Sequence, residues 1–532
     1  MLRKILGPAL LTLTLFVPAL VRPALAAEEE APKAKEGAAA PSDAKERMVE
    51  TLHKTRIGGA EISYRAVAGE LTLRDEAEKP QALMFYVAYL AQRTKSAERP
   101  ITFLFNGGPG SSSVWLHLGA FGPKRVRVDA AGIPGPPPYG LDDNPSSLLD
   151  LTDLVFVDPI STGYSRALPG EKASSYHEVH GDVEAMADFI RRFLTRNGRW
   201  DSPLFLAGES YGTIRAAGLA DLLMRRYSLY CNGLVLLSAA LNEMTFNDSP
   251  GNDLPYALNL PAYAAAAWYH HRLEPALQGR TLEAVMGEAQ DFALGPYSRA
   301  LLLGAALPAG ERQTIVAQLA RLTGLKPELI DRDDLRVGHQ EYIGELLKDD
   351  HLQLGLLDSR YKGFPNYLAA EGYAPVYQYS LSDPSFTAVG GAFASALQQY
   401  LRRDLRYETE ASYETLSLPV ASNWDYSRVT NRYLYAADNL RSAITANPDL
   451  EVFVASGLFD LVTTSLATRY TMDHLGLDPR LRGNVSISYY PAGHMMYMHE
   501  PSLRQLKSDL ARFYQATLAR KRTAPAPAGA VR

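Results

Sequence analysis

The stretch Leu204-Phe205-Leu206-Ala207-Gly208-Glu209-Ser210-Tyr211-Gly212 constrains this chain more than any other. Four apolar residues run into a Gly-X-Ser-X-Gly turn, and a helical pattern over residues 214–226 follows at once. A short, nearly continuous apolar run is the mark of a strand buried on both faces. A strand that turns this abruptly into a helix puts Ser210 in a strained turn, and glycines on either side let the two elements crowd together. The helix start then aims its free amides at the serine. The five-residue pattern recurs by chance in many chains; the flanking strand and helix are what make it a nucleophile elbow.

The surrounding sequence supplies the sheet such an elbow needs. Residues 101–105, 154–157, 204–207 and 234–237 are short apolar runs, and 60–73 and 82–90 are rich in β-branched and aromatic residues. Residues 182–195 predict a helix. From Ser249-Pro250-Gly251-Asn252 onward the pattern becomes helical, over 263–273, 281–294, 312–322 and 392–401, the last after the break Gly390-Gly391. Strands return at 451–455 and 485–490, with a closing helix at 502–514. Interrupted alternation of this kind predicts one α/β domain with a mostly parallel central sheet, helices on both faces and a helical cap. Its core would span 49–248 and 416–520, and its cap 249–415. Tyr256, Tyr263, Tyr269, Tyr297 and Tyr342 in the cap read mainly as packing residues.

Composition narrows the class. With 46% apolar and 21% charged residues, the chain is neither largely disordered nor collagen-like. The charge sum, 54 − 59 = −5, argues against a nucleic-acid partner. The single cysteine, Cys231, can form no intramolecular disulfide, and Cys-rich zinc sites are excluded. Arg3 and Lys4, an apolar stretch to Leu20 and Ala24-Leu25-Ala26 read as a cleaved signal peptide over 1–27, interrupted too often by Pro8, Pro18, Arg22 and Pro23 to span a bilayer. The mature protein is therefore expected to be exported, periplasmic or secreted, with no stable membrane span. Residues 28–48 and 521–532 predict a disordered linker and tail.

A serine hydroxyl needs a base to take its proton. His494, in Pro491-Ala492-Gly493-His494-Met495, follows the last strand, where such sheets present ligand groups. Asp460 follows the strand before it and would orient the imidazole; Asp473 and Asp478 are alternatives farther along. The loop Asn106-Gly107-Gly108-Pro109-Gly110-Ser111 frees the backbone after another strand. An amide from that loop, Gly108, with the one after the nucleophile, Tyr211, would form an oxyanion hole. No Gly-Lys-Ser/Thr follows, so a phosphate loop is a poor reading.

These residues resemble the serine carboxypeptidase family. The segments that carry the likeness, in order, are Asn106 to Ser113, Asp153 to Ser165, Gly208 to Gly212, Ser456 to Asp460 and Gly493-His494-Met495. The resemblance implies an α/β-hydrolase fold, Ser210, Asp460 and His494 as a triad, neither metal nor cofactor, and removal of C-terminal residues from peptides with a free C-terminus. It also implies that Asn106 and Glu209, with Gly107 in the same loop, bind the substrate's terminal carboxylate. A carboxylic acid beside a carboxylate shares a proton and survives only in acid, so that binding weakens as pH rises. The sequence departs from the family at Ala120, where a second glutamate is usual. Either Glu209 and Asn106 suffice, or His117 supplies a cation, or strict exopeptidase action is relaxed. Asp158 and Tyr164 are further candidates for the pocket wall. A serine esterase or acyltransferase with the same triad is the alternative function, and a non-enzymatic binder a distant third. Oligomeric state is not legible.

Overall fold

The computed structural model describes residues 45–92, 99–129, 131–365, 382–429 and 432–520. The expected signal peptide, most of the linker and the tail lie outside the described residues.

The strands that organise the molecule are β1 (Met48–Ile57), β2 (Ala60–Arg74), β3 (Pro80–Ala91), β4 (Ile101–Phe105), β5 (Asp153–Val157), β6 (Leu204–Glu209), β7 (Gly233–Leu237), β8 (Glu451–Gly457) and β9 (Val485–Tyr490). They form one sheet in the order β1-β2-β3-β5-β4-β6-β7-β8-β9. The first three and their join to β5 are antiparallel; from β5 to β9 every pairing is parallel. The chain leaves β4 for β5 on one side, then returns to β6 on the other. Ligands of open parallel sheets bind outside the carboxyl ends of strands at such a reversal.

The apolar runs are continuous because both faces of the sheet are covered. Phe103, Val155, Leu206, Leu236 and Val454 face α1 (Val179–Arg196) and α2 (Tyr211–Tyr227). Their chain neighbours Leu104, Phe156, Phe205, Val235 and Phe453 point the other way, into a second apolar cluster. A third cluster holds the helical block together, built on α3 (Leu254–Tyr269), α4 (Leu282–Phe292) and α5 (Ala309–Thr323), with Leu461 and Leu466 from the core. Tyr263 and Tyr342 stack there at 4.0 Å, so these cap tyrosines pack the block. Cys231 is buried, which pushes its thiol up to about 12.

The structure corrects three expectations. The end of the linker is tied down: Glu46 pairs with Arg196, accepts from the Thr72 amide, and β1 begins at Met48. Gly390-Gly391 is no break, because both lie inside α6 (Pro384–Arg403). That helix starts where Asp383 caps it and Pro384 occupies the first turn, a signal present in the sequence. Finally, α6 does not belong with the cap. Its residues Val389, Phe393 and Leu397 join the cluster on the second face of the sheet.

Candidate active site

Ser210 stands between β6 and α2 with φ 57° and ψ −128°. A non-glycine residue held there costs about 1–3 kcal/mol, and only the surrounding structure can impose it. The Ser210 amide donates to the Leu237 carbonyl at 2.9 Å, and the Thr213 hydroxyl donates to the Ser210 carbonyl at 2.7 Å. Gly212 has no room for a side chain, since a Cβ would meet the Phe105 carbonyl oxygen at 2.6 Å. Glycine at this position thus brings the elbow against the end of β4. As the first residue of α2, Tyr211 has no carbonyl one turn back for its amide. Gly108, at φ +102°, lies in the loop that leaves β4 beside it.

His494 follows β9 and Asp460 follows β8. The His494 Nδ1–H donates to Asp460 Oδ2 at 2.7 Å, which leaves Nε2 to accept. Asp460 is fully buried and accepts from the amides of Val462 and Thr463 at 2.8 and 3.0 Å and from the Thr463 hydroxyl at 2.7 Å. Asp473 and Asp478 instead pair with Arg469 and Arg480 near the surface. Burial pulls the His494 imidazole down, but the negative charges of Asp460, Glu209 and Asp383 outweigh it and hold the pKa above its ordinary range.

A strap from the insertion, residues 356–360, sews the Asp460 and His494 loops together. The Leu357 carbonyl accepts from the His494 amide at 2.6 Å, and the Asp358 carboxylate accepts from the Gly493 amide at 3.0 Å. The Ser359 amide donates to the Phe459 carbonyl at 2.9 Å, and the Leu461 amide to the Leu356 carbonyl at 3.2 Å. Arg360 pairs with Asp358 and donates to the Pro491 carbonyl. The strap is itself held by Asp383, which accepts from the Leu356 amide at 3.0 Å.

Glu209 and Asn106 are buried side by side, the Asn106 amide donating to the Glu209 carboxylate. The Tyr497 hydroxyl donates to the same carboxylate, at 2.8 and 3.1 Å to its two oxygens. Burial pushes Glu209 up to about 7, against the pull of His494 and of these donors. Beneath them, Arg215 bonds Asp182 at 2.9 Å and donates to the Asn106 carbonyl at 2.7 Å.

A cavity of about 370 Å³ joins these groups. Asn106, Gly107, Gly108, Glu209, Ser210 and His494 line it, and its remaining wall is largely apolar, with Trp115, Phe246, Phe386, Leu461 and Met495. Of these apolar residues, Met495, Leu461 and Trp115 lie in or close to segments singled out from sequence, whereas Phe246 and Phe386 come from distant parts of the chain. The structure brings together every residue read as triad, oxyanion hole or carboxylate site. Other candidates fall elsewhere. His117 stacks on Phe156 at 4.5 Å, binds the Tyr89 hydroxyl at 2.5 Å and is pulled down to about 3 by burial, so it is neutral and not a cation for substrate. Asp158 accepts from the Ser113 amide, Tyr164 bonds Gln398, and neither lines the cavity. Ala120 is buried in a turn of π-helix, Leu116–Phe121.

The family model for serine carboxypeptidases matches residues 61–245. Lysosomal protective protein of Mus musculus is 27% identical over 196 residues, covering 36% of this chain and 37% of that protein. Serine carboxypeptidase-like 44 of Arabidopsis thaliana is 31% identical over 176 residues, covering 31% and 33%. The matches thus span about a third of these relatives' length. Among solved structures, a prohormone-processing carboxypeptidase from Saccharomyces cerevisiae shares the fold, with a TM-score of 0.54 and 15% identity over 85% of this chain and 91% of that one. Among the described residues no helix is long and apolar enough to cross a membrane. The elbow and the glycine-rich loop both lie inside the stretch that resembles serine carboxypeptidases, residues 61–245, and the sheet order around them is that of the α/β-hydrolase fold.

Proposed function

We propose that this protein is a serine carboxypeptidase that releases C-terminal residues from peptides through an acyl-enzyme on Ser210. The observation that carries the reading is the placement of Glu209 and Asn106 in the same cavity as Ser210 and His494. Ser210 Oγ attacks the last peptide carbonyl while His494 Nε2 takes its proton. Asp460 holds the tautomer and stabilises the imidazolium. The amides of Gly108 and Tyr211 receive the oxyanion. His494 then gives the proton to the leaving amino acid, and water, activated the same way, releases the shortened peptide. A protonated Glu209 donates to the substrate's terminal carboxylate, which a charged Glu209 would repel. The apolar wall suits bulky apolar side chains next to the scissile bond. Export, to a periplasm or to the outside, completes the proposal; its support is the leader-like start of the sequence and the lysosomal protein among the relatives.

A serine esterase or acyltransferase with the same triad is the second reading. It is favoured by Ala120, which leaves Glu209 bonded to Asn106 and Tyr497 rather than to a second acid. An N-blocked dipeptide, its C-terminal amide and its ester, assayed from about pH 4 to 8 where a shared-proton carboxyl site dissociates, separate the two. Preference for the free carboxyl, strongest in acid and absent in Ser210→Ala, supports the carboxypeptidase. Ester cleavage indifferent to the terminal group supports the other.

A further inference from the structure

Glu209 is a single acid in a place where end-group recognition requires a proton, and the structure surrounds it with donors. The Asn106 amide reaches one carboxylate oxygen and the Tyr497 hydroxyl reaches both. Tyr497 is wholly buried and lies three residues past His494. Its ring is pressed against the π-helical turn that carries Ala120: a Cβ on Gly119 would meet the Tyr497 ring at 2.7 Å. A phenol is thus packed between Glu209 and the segment where the sequence lacks an acid. The titratable groups acting on Glu209 are His494 and Asp460, from the loops after β9 and β8, and Tyr497 itself.

We propose that Tyr497 is a specificity-determining residue, whose hydroxyl takes the place of a second acid on Glu209 and sets the pH above which substrates with a free carboxyl are refused. The proposal rests on the carboxypeptidase reading. A phenol differs from a carboxylic acid in one decisive way: it stays neutral throughout the working range, since burial and the neighbouring Glu209 hold the Tyr497 hydroxyl well above its ordinary range. It can therefore donate to Glu209 but cannot share a proton with it as a second carboxyl would. A donor to a carboxylate favours the charged form. Tyr497 thus restrains the rise that burial imposes on Glu209. Removing the hydroxyl leaves Glu209 protonated to higher pH, and the protein keeps binding free carboxylates there. One hydrogen bond to a charged group corresponds to roughly one pH unit, a tenfold change in the protonated fraction above the midpoint.

The test compares wild type with Tyr497→Phe, which keeps the ring that packs on Gly119. Its readout is the ratio of kcat/KM for an N-blocked dipeptide acid to kcat/KM for its amide, followed from about pH 4 to 9, the span of a buried carboxyl's titration. The triad serves both substrates, so its own titration cancels in the ratio. The expected result is a fall of the ratio with pH whose midpoint moves up by about one unit in Tyr497→Phe. A second readout needs no substrate: the infrared carboxylic-acid band that disappears in Glu209→Gln should persist to correspondingly higher pH in Tyr497→Phe. A wild-type ratio that falls with pH, together with an unmoved midpoint and an unmoved band in the variant, overturns the role of Tyr497 and leaves the carboxypeptidase reading standing. A wild-type ratio that is flat with pH removes the carboxypeptidase reading, and the role of Tyr497 with it.

Discussion

Gly107 offers the sharpest test of how the site is assembled. It follows β4 and touches the elbow across the sheet. A methyl added there would come within 3.0 Å of three backbone atoms, the Glu209 carbonyl oxygen at 2.8 Å, the Gly212 nitrogen at 2.9 Å and the Tyr211 nitrogen. Ordinary contacts to carbon lie near 3.5–4.0 Å, so in Gly107→Ala the loop and the elbow must part by roughly 0.6–1 Å. The neighbours are backbone and have no rotamer to yield. Overpacking of this kind costs about 1–3 kcal/mol of stability. Activity should suffer as well as stability, because the displaced atoms are the amides proposed to face the oxyanion. A misplacement near 1 Å costs about a hundredfold, so kcat is expected to fall between tenfold and a hundredfold on every substrate cleaved. The assay is kcat at saturation together with thermal unfolding, with Gly287→Ala as control. Gly287 lies in α4 with open space around it, and alanine there should stabilise by about 0.5–1 kcal/mol. A folded Gly107→Ala enzyme with wild-type kcat would refute the inference that close approach of loop and elbow builds the oxyanion site.

The remaining predictions are brief. Asp460→Asn should lower kcat by about 10⁴-fold with little loss of stability, because an amide cannot fix the imidazole tautomer; a loss under tenfold would dismiss Asp460 as the orienting group. Asp358→Asn should cut kcat on ester and peptide alike by about tenfold or more, since it weakens both the charge-assisted bond to the amide beside His494 and the pair with Arg360 that holds the strap; an effect on KM alone would show the strap does not position the base. Arg215→Met strands the buried Asp182 and should cost about 3–5 kcal/mol, part of it recovered in Arg215→Met with Asp182→Asn; denaturant unfolding that shows no recovery would mean the pair is not coupled. Ester hydrolysis should fall as pH drops, because the neutral imidazole is the base and protonation removes it. Its midpoint should lie above histidine's ordinary 6.5, the direction in which Asp460, Glu209 and Asp383 outweigh burial, and a kcat profile with its midpoint below 6 would contradict that balance of charges.

What could be read from the chain alone was what short stretches determine by themselves. The elbow is marked locally: a strand, two glycines and a helix start point to a turn at Ser210, even though its strained backbone is held by contacts from β4 and β7. His494 and Asp460 each follow a recognisable strand, and parallel strands deliver their carboxyl ends to one edge of the sheet. Pairings between residues far apart carry no such mark. Tyr497 meets Glu209 across 288 residues, and nothing in Met495-Met496-Tyr497 distinguishes a phenol aimed at a carboxylate from one filling the core. The strap at 356–360 reads as ordinary loop until folding lays it between the two loops it joins. Gly390-Gly391 suggested a helix break by propensity, yet Val389 and Phe393 on either side bury against the sheet, and tertiary burial overrides a local cost of about 1 kcal/mol per glycine. His117 looked like an available cation because its neighbours in sequence do not reveal Tyr89 and Phe156. Local backbone geometry is encoded where it occurs. Burial, and with it the protonation of Glu209, His117 and His494, depends on which distant segments exclude water from each group, and only the folded chain decides that.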